Sequence, residues 1–283
     1  MKPGRASRTS ELVCTGRALA HGRTAVSKFD DPTAFELLPH AAQRYVARIR
    51  SGEGPRGLRE RVETAFRERQ SLVMVVRTVV IDDAIRAAAA PQLVILGAGL
   101  DGRAWRMPEL RDAVVFEVDH PDTQGDKRAR VSGLKQAARD VRFVPVDFER
   151  DSLDRALRAA GHDPALATTW VWEGVVMYLA PADVEATLAV IQGRSAPGSR
   201  LILVYHRPAL MLRAINLFVA RLGEPFRSAY TPEAMRSLLA KYGFELAADA
   251  PINELGAGLS REVGQATKYI DHLRVATADR KMP

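Results

Sequence analysis

Four apolar residues, Leu93 to Leu96, run directly into a glycine-rich turn, so that residues 91–107 read PQLVILGAGLDGRAWRM. A buried strand that breaks at Gly97, Gly99 and Gly102 and then turns helical is the first half of a βαβ unit, and few folds begin that way. The G-x-G-x-x-G spacing, with an acid about 20 residues further on, is the dinucleotide-binding fingerprint. Asp119 is that acid, at the end of a second apolar run, AVVFEVD. Short apolar runs at 93–96, 113–118, 141–146, 168–173 and 200–205 alternate with helical stretches near 101–108, 121–138, 150–160 and 181–194. That alternation predicts an α/β fold built on a parallel sheet.

Either side of this region the rhythm differs. Residues 1–90 read as helical, with loops at DDPTAFELLP and SGEGPRG, and form an N-terminal cap ahead of a core over 91–283. After 206, PALMLRAINLFVARLG is helical, and TPEAMRSLLAKYGF is a helix opened by Thr231 as N-cap with Pro232 in its first position. FELAADAP and HLRVATAD supply two more strands, the last of them antiparallel.

Composition narrows the function classes. With 283 residues, 47% of them hydrophobic, the chain can bury one large core. A single cysteine, Cys14, excludes an intrachain disulfide and a thiolate metal cluster, and the six histidines are scattered, so no metal site is expected. No apolar run reaches the roughly 18 residues of a membrane span, and MKPGRASRTSELVCTG lacks the apolar stretch of a signal peptide. A cytoplasmic protein with no membrane partner is therefore expected. The net charge of +7 raises the question of nucleic acid, but the arginines alternate with acids, as in RGLRERVETAFRERQ, which is the pattern of a solvated helix face.

Ligands of an open parallel sheet bind beyond the carboxyl ends of its strands. Four acids fall there: Asp101, Asp119, Asp147 in VRFVPVD, and Glu173 in TTWVWEGVVMYL. Asp119 suits the two hydroxyls of a ribose, and Asp147 an adenine amino group. Each is equally suited to capping the helix that follows. Arg77 sits in SLVMVVRTVVIDD, a run apolar nearly all round, and a buried guanidinium needs an anion. That anion is either Asp82 or Asp83 or the carboxylate of a ligand, which its planar fork matches. Acids at every strand end would repel the pyrophosphate of NAD, Asp101 in the glycine turn above all. They suit S-adenosylmethionine, which carries a sulfonium and an amino-acid tail, so this cofactor is preferred over a nicotinamide cofactor.

The stretches VILGAGLDGRAWRMP, FEVDHP, VPVDF, EGVVMYLAP and GEPFRSAYTPEAMRSLLAKYGFEL resemble the leucine carboxyl methyltransferase family, whose bacterial branch includes tetracenomycin-type polyketide carboxyl O-methyltransferases. The resemblance implies a class I methyltransferase fold: a Rossmann-like, seven-stranded, mostly parallel sheet with the last strand antiparallel, under an N-terminal helical cap. It implies S-adenosylmethionine as cofactor, S-adenosylhomocysteine as product and a small-molecule or peptide acceptor. By motif, Arg77 matches the arginine on the methionine carboxylate, Gly97 the glycine of the cofactor loop, and Asp119 the ribose acid. Asp147 and Phe148 match the pair beside adenine, Glu173 the glutamate near the methionine moiety, and Arg17 in CTGRALAHG a basic N-terminal residue. Gly99 and Asp101 share the cofactor turn. Gly102 stands where the family usually has Thr, which leaves the helix start one hydroxyl short.

For the acceptor side, Tyr205 and His206 follow the fifth strand, and Tyr178 lies in VVMYL. His206 is placed to act as a general base for a phenol, whereas a carboxylate, ionised at neutral pH, needs none. Arg207 and Arg227 are candidates for binding an acidic acceptor. The alternatives are an NAD-dependent oxidoreductase and a non-catalytic S-adenosylmethionine sensor. Neither the acceptor nor the oligomeric state is legible.

Overall fold

The computed structural model describes residues 8–54, 57–148, 150–209, 212 and 225–281. Seven strands form one sheet: β1 (Gln92–Leu96), β2 (Val114–Asp119), β3 (Asp140–Pro145), β4 (Thr168–Trp172), β5 (Arg200–His206), β6 (Phe244–Pro251) and β7 (Leu273–Arg280). Their order is β3-β2-β1-β4-β5-β7-β6. The first five pair in parallel, and β7 runs antiparallel to both β5 and β6. This is the sheet that the resemblance implied. Strands β1 and β4 are buried at every position, which is why they read as unbroken apolar runs rather than alternating ones. The strand order reverses between β1 and β4, so the crevice beyond their carboxyl ends is the natural ligand position.

Helices α1 (Arg8–Ala20), α2 (Thr33–Leu37), α3 (His40–Arg50) and α4 (Leu58–Ala88) precede the sheet. Between the strands lie α5 (Arg103–Arg106), α6 (Pro121–Val131), α7 (Leu153–Ala159) and α8 (Pro181–Gly193), and then α9 (Pro232–Lys241), α10 (Ile252–Ala257) and α11 (Arg261–Thr267). One core layer joins Cys14, Leu37, Val46, Val75 and Val79 of the early helices to Leu93, Ile95, Val115, Ile202 and Val204 of the sheet. The opposite layer packs Val94, Phe116, Trp170, Trp172 and Tyr205 against Leu157, Leu188 and Leu239. The N-terminal helices thus share one continuous core with the sheet. No helix among the described residues is long and apolar enough to cross a membrane.

Some expectations need correcting. DDPTAFELLP is not all loop: Asp31 Oδ1 accepts from Ala34 N at 3.0 Å and starts α2, whose Thr33, Ala34 and Leu37 are buried. The stretch 101–108 holds only a single turn, α5, followed by a 3-10 turn over Pro108–Asp112 that begins where Pro108 has no N–H to give. Helix α6 stops at Val131 instead of reaching 138, because the chain turns back and Ala137 and Ala138 both donate to Ala104 O. The helix expected over 208–223 lies largely outside the described residues. Thr231 does cap α9, its hydroxyl accepting from Ala234 N.

Candidate active site at the carboxyl ends of the strands

The glycine turn after β1 needs its glycines for two physical reasons. Gly97 has φ +69°, and a Cβ there would lie 2.2 Å from Val175 Cγ2. Gly99 has φ +47°, and its Cβ would lie 2.8 Å from Ser10 Cβ of α1. Both backbone strain and space therefore exclude a side chain. Asp119 binds this turn directly: Oδ2 accepts from Gly99 N at 2.5 Å, and Oδ1 from His120 N at 2.6 Å. Burial raises the Asp119 carboxyl above its ordinary value, against the lowering effect of those two N–H groups.

Asp101 and Glu173 are held by arginines. Arg103, at the start of α5, donates Nη1 to both Asp101 Oδ2 and Glu173 Oε2, the latter at 3.0 Å, and Nε to Asp82 Oδ1 at 2.7 Å. Its backbone N also donates to Asp101 Oδ1, so Asp101 does cap the helix start, one of its two expected readings. Arg77 Nη2 lies 2.8 Å from Glu173 Oε1. This corrects the reading that paired Arg77 with its near neighbours: Asp82 is taken by Arg103 and Arg106, and Asp83 by Lys28 and Arg86. Five or six residues along α4 bring those acids round to another side of the helix, whereas Glu173 ends the strand opposite Arg77. Burial pushes Glu173 up, but Arg77 and Arg103 outweigh it and hold the carboxyl below its ordinary value. Asp101 is likewise brought down to about 2, burial being outweighed by Arg103 and its neighbours.

The network continues towards the N-terminus. Arg106 reaches Asp82 at 2.7 Å and lies 3.7 Å from Asp31, and Arg17 donates Nε to Asp31 at 2.8 Å and Nη2 to Leu100 O at 2.6 Å. Arg17, Arg77, Arg103 and Arg106 thus neutralise Asp31, Asp82, Asp101 and Glu173. Two donors are left without a hydrogen bond among the described residues: Arg106 Nε, which lies 3.7 Å from Asp31 Oδ1, and Arg77 Nε, whose neighbour Nη1 reaches only Met74 Sδ, at 3.5 Å. Beneath the turn, Lys127 Nζ lies 2.6 Å from Glu117 Oε2 in a pair closed to solvent, where burial pushes the Glu117 carboxyl up to about 7.

Asp147 and Phe148 follow β3 as expected. The Asp147 carbonyl accepts from Arg150 N and Asp151 N in a tight turn, and both side chains are half-buried. Gly102 has no left-handed strain. Its missing Cβ would lie 2.0 Å from Thr33 Oγ1, so the hydroxyl of α2 fills the space that a side chain at 102 would need.

On the acceptor side the candidates separate. His206 faces the layer of Ile202 and Val204, with ring centroids 4.9 Å from Phe226 and 5.4 Å from a stacked His272. Tyr178 lies 5.6 Å from the same Phe226. Burial, helped by His272 and Arg77, lowers His206 to about 3. Tyr205 points the other way, into the second core layer, and donates its hydroxyl to Asp249 Oδ2 at 2.7 Å. His206 and Tyr178 therefore share a neighbour in Phe226, while Tyr205 stays in the core. Arg207 is tied to Asp271 at the surface, and Arg227 donates its backbone N to Met177 O at 2.7 Å. Sequence reasoning missed Arg103, Arg106, Asp31, Phe226 and His272. Only the two arginines carried a signal, as charges three residues apart in the otherwise apolar RAWRM.

Among solved structures the chain is similar to a "duf574 family protein" from Streptomyces avermitilis, with TM-score 0.61 and 11% identity over 98% of this chain and 99% of that one. It is also similar to a "putative methyltransferase" from Thermobifida fusca, with TM-score 0.54 and 17% identity over 99% and 97%. These likenesses concern the fold. In sequence it is 36% identical over 202 residues to a "Putative S-adenosyl-L-methionine-dependent methyltransferase" of Mycobacterium sp. (strain JLS), covering 71% of this chain and 66% of that protein. A protein of the same name from Mycobacterium tuberculosis (strain ATCC 25177 / H37Ra) is 38% identical over 200 residues, 69% of this chain and 64% of the relative. The chain thus matches slightly less than two thirds of the length of these relatives. The sequence model of leucine carboxyl methyltransferase matches residues 10–192. The chain belongs to the leucine carboxyl methyltransferase family.

Proposed function

We propose that this protein is an S-adenosylmethionine-dependent O-methyltransferase acting on a carboxylate of a small molecule or peptide, in the manner of natural-product biosynthesis. The observation that carries the cofactor reading is Arg77 Nε, a buried donor left unpaired beside Glu173 at the point where the strand order reverses. A buried guanidinium with one free donor fits a ligand carboxylate. The rest of the site fits the same group. Gly97 and Gly99 let the backbone approach it, Asp119 suits the ribose diol, Asp147 and Phe148 the adenine, and Glu173 the ammonium of the methionine moiety. Arg17 acts at one remove, holding the glycine turn through Leu100 O.

When bound, S-adenosylmethionine supplies a methyl group on a sulfonium, open to in-line displacement. The chain's own part is to position cofactor and acceptor and to exclude water. His206 supports a carboxylate acceptor. A buried imidazole with its basicity lowered to about 3 is a weak proton acceptor, and a carboxylate asks for none. Phe226, in ring contact with both Tyr178 and His206, offers an apolar wall to the acceptor. Calorimetry with S-adenosylhomocysteine and with NAD tests the cofactor reading: the first is expected to bind and the second not, and comparable NAD binding overturns it. Transfer of labelled methyl groups to carboxylic acids and to phenols then separates the acceptor classes, and transfer to phenols alone overturns the carboxylate.

A further inference from the structure

We propose that Arg103 is the positioning residue of this site, its guanidinium bridging Asp101 and Glu173 so that both stay charged and Glu173 stays turned onto Arg77. The assignment rests on the reading of Arg77 and Glu173 as cofactor residues. Arg103 is 2% exposed, so water does not share its work. A single nitrogen, Nη1, serves Asp101 Oδ2 and Glu173 Oε2, while Nε is fixed by Asp82. Glu173 therefore splits its two oxygens between two guanidiniums, Oε1 to Arg77 and Oε2 to Arg103. That division fixes the carboxylate plane, and with it the side of Arg77 that remains free.

The charged groups around the two acids come from several elements. Arg77 approaches from α4, Arg103 from α5, Arg17 from α1 and Lys127 from α6, with Asp82 behind Arg103 and His206 beyond Arg77. Removing the Arg103 charge leaves two buried carboxylates side by side with their shared cation gone. Like charges so placed do not both ionise near neutral pH, and one of them takes up a proton. A protonated Glu173 no longer attracts an ammonium and no longer orients Arg77.

The test is the pH dependence of S-adenosylhomocysteine binding by calorimetry, for wild type, Arg103→Gln and Arg103→Lys. Wild type is expected to change affinity between about pH 8 and about pH 5.5 only as far as Glu117 and Asp119, both raised by burial, take up protons, because Glu173 stays ionised throughout. Arg103→Gln is expected to weaken by at least about tenfold more than wild type over that span. Arg103→Lys, which keeps one positive charge between the acids, is expected to restore the wild-type profile. If Arg103→Gln loses affinity by the same factor at both ends, or not at all, its role is packing alone and the proposal is overturned. If wild type does not bind S-adenosylhomocysteine, the cofactor reading falls and this assignment with it. If Arg103→Gln is unfolded at neutral pH, the same uncompensated carboxylates predict that its melting temperature rises as the pH is lowered, the reverse of wild type. Melting temperatures that run parallel overturn the proposal.

Discussion

Each oxygen of Asp119 accepts one backbone N–H, from Gly99 or from His120, and keeps a lone pair for a further donor. Asp119→Ala removes charge-assisted bonds worth on the order of 2–3 kcal/mol, so S-adenosylhomocysteine affinity is expected to fall about 30- to 150-fold. An unchanged dissociation constant in a folded variant would reduce Asp119 to an anchor of the turn. For His206, a carboxylate acceptor predicts a rate that is flat above about pH 6 and an Ala variant within about tenfold of wild type. A loss of about 100-fold, with an acid limb that vanishes in the variant, would instead make His206 the base for a hydroxyl. Arg77, Asp119 and Glu173 were legible in the sequence because a charge inside an apolar run is anomalous. How they pair was not. Asp31 lies in a loop where charges are commonplace, and Arg103, though marked by its apolar neighbours in RAWRM, meets Glu173 only across 70 residues of chain.

At the scale of elements, the fit of α2 against α5 accounts for the glycine at 102. Gly102→Thr puts back the residue usual in the family, but its Cβ falls where Thr33 Oγ1 already stands, itself donating to Asp31 at 2.8 Å. Overpacking of this kind costs about 1–3 kcal/mol. Urea denaturation is expected to show that loss for Gly102→Thr and a clear recovery when Thr33→Ala is added. Simple additivity of the two changes would refute the exchange. Strands β1, β2, β4 and β5 were legible because both their faces are covered, so burial writes itself as continuous apolar runs, whereas β3 and β6 are largely half-buried or exposed. Helices α2, α10 and α11 span 5, 6 and 7 residues, too few for a helical period to stand out. The length of α6 was misjudged because bonds to Ala104, distant in sequence, decide where the chain turns.

For the whole molecule, buried groups set how stability follows pH. Burial lowers His162 to about 4 and His206 to about 3, and lowers His272 as well, so the native state keeps them neutral where the unfolded chain, near its ordinary 6.5, takes up protons. Their contribution is complete above that value and is lost as the pH falls below it. Glu173 and Asp101, held below their ordinary values, add a loss of the same sign at lower pH. Glu117, raised to about 7, and Asp119, also raised, work in the opposite direction. The urea midpoint is therefore expected to drop from about pH 7 to about pH 4.5, less steeply in His206→Phe and more steeply in Glu117→Gln. A midpoint that rises on acidification would reverse this balance. Distance along the chain has a consequence of its own for biosynthesis. Arg17 of α1 bonds Leu100 across 83 residues, and Arg69 of α4 bonds Ala266 of α11 across 197. Helix α4 is therefore made well before the last segment that packs on it, and at about 5–20 residues per second it waits about 10 to 40 s for α11 to be synthesised. During that interval α1 and the early strands already cover part of α4, but the stretch that α10 and α11 cover is unshielded, so nascent chains stalled before α11 are expected to aggregate more readily than the complete chain.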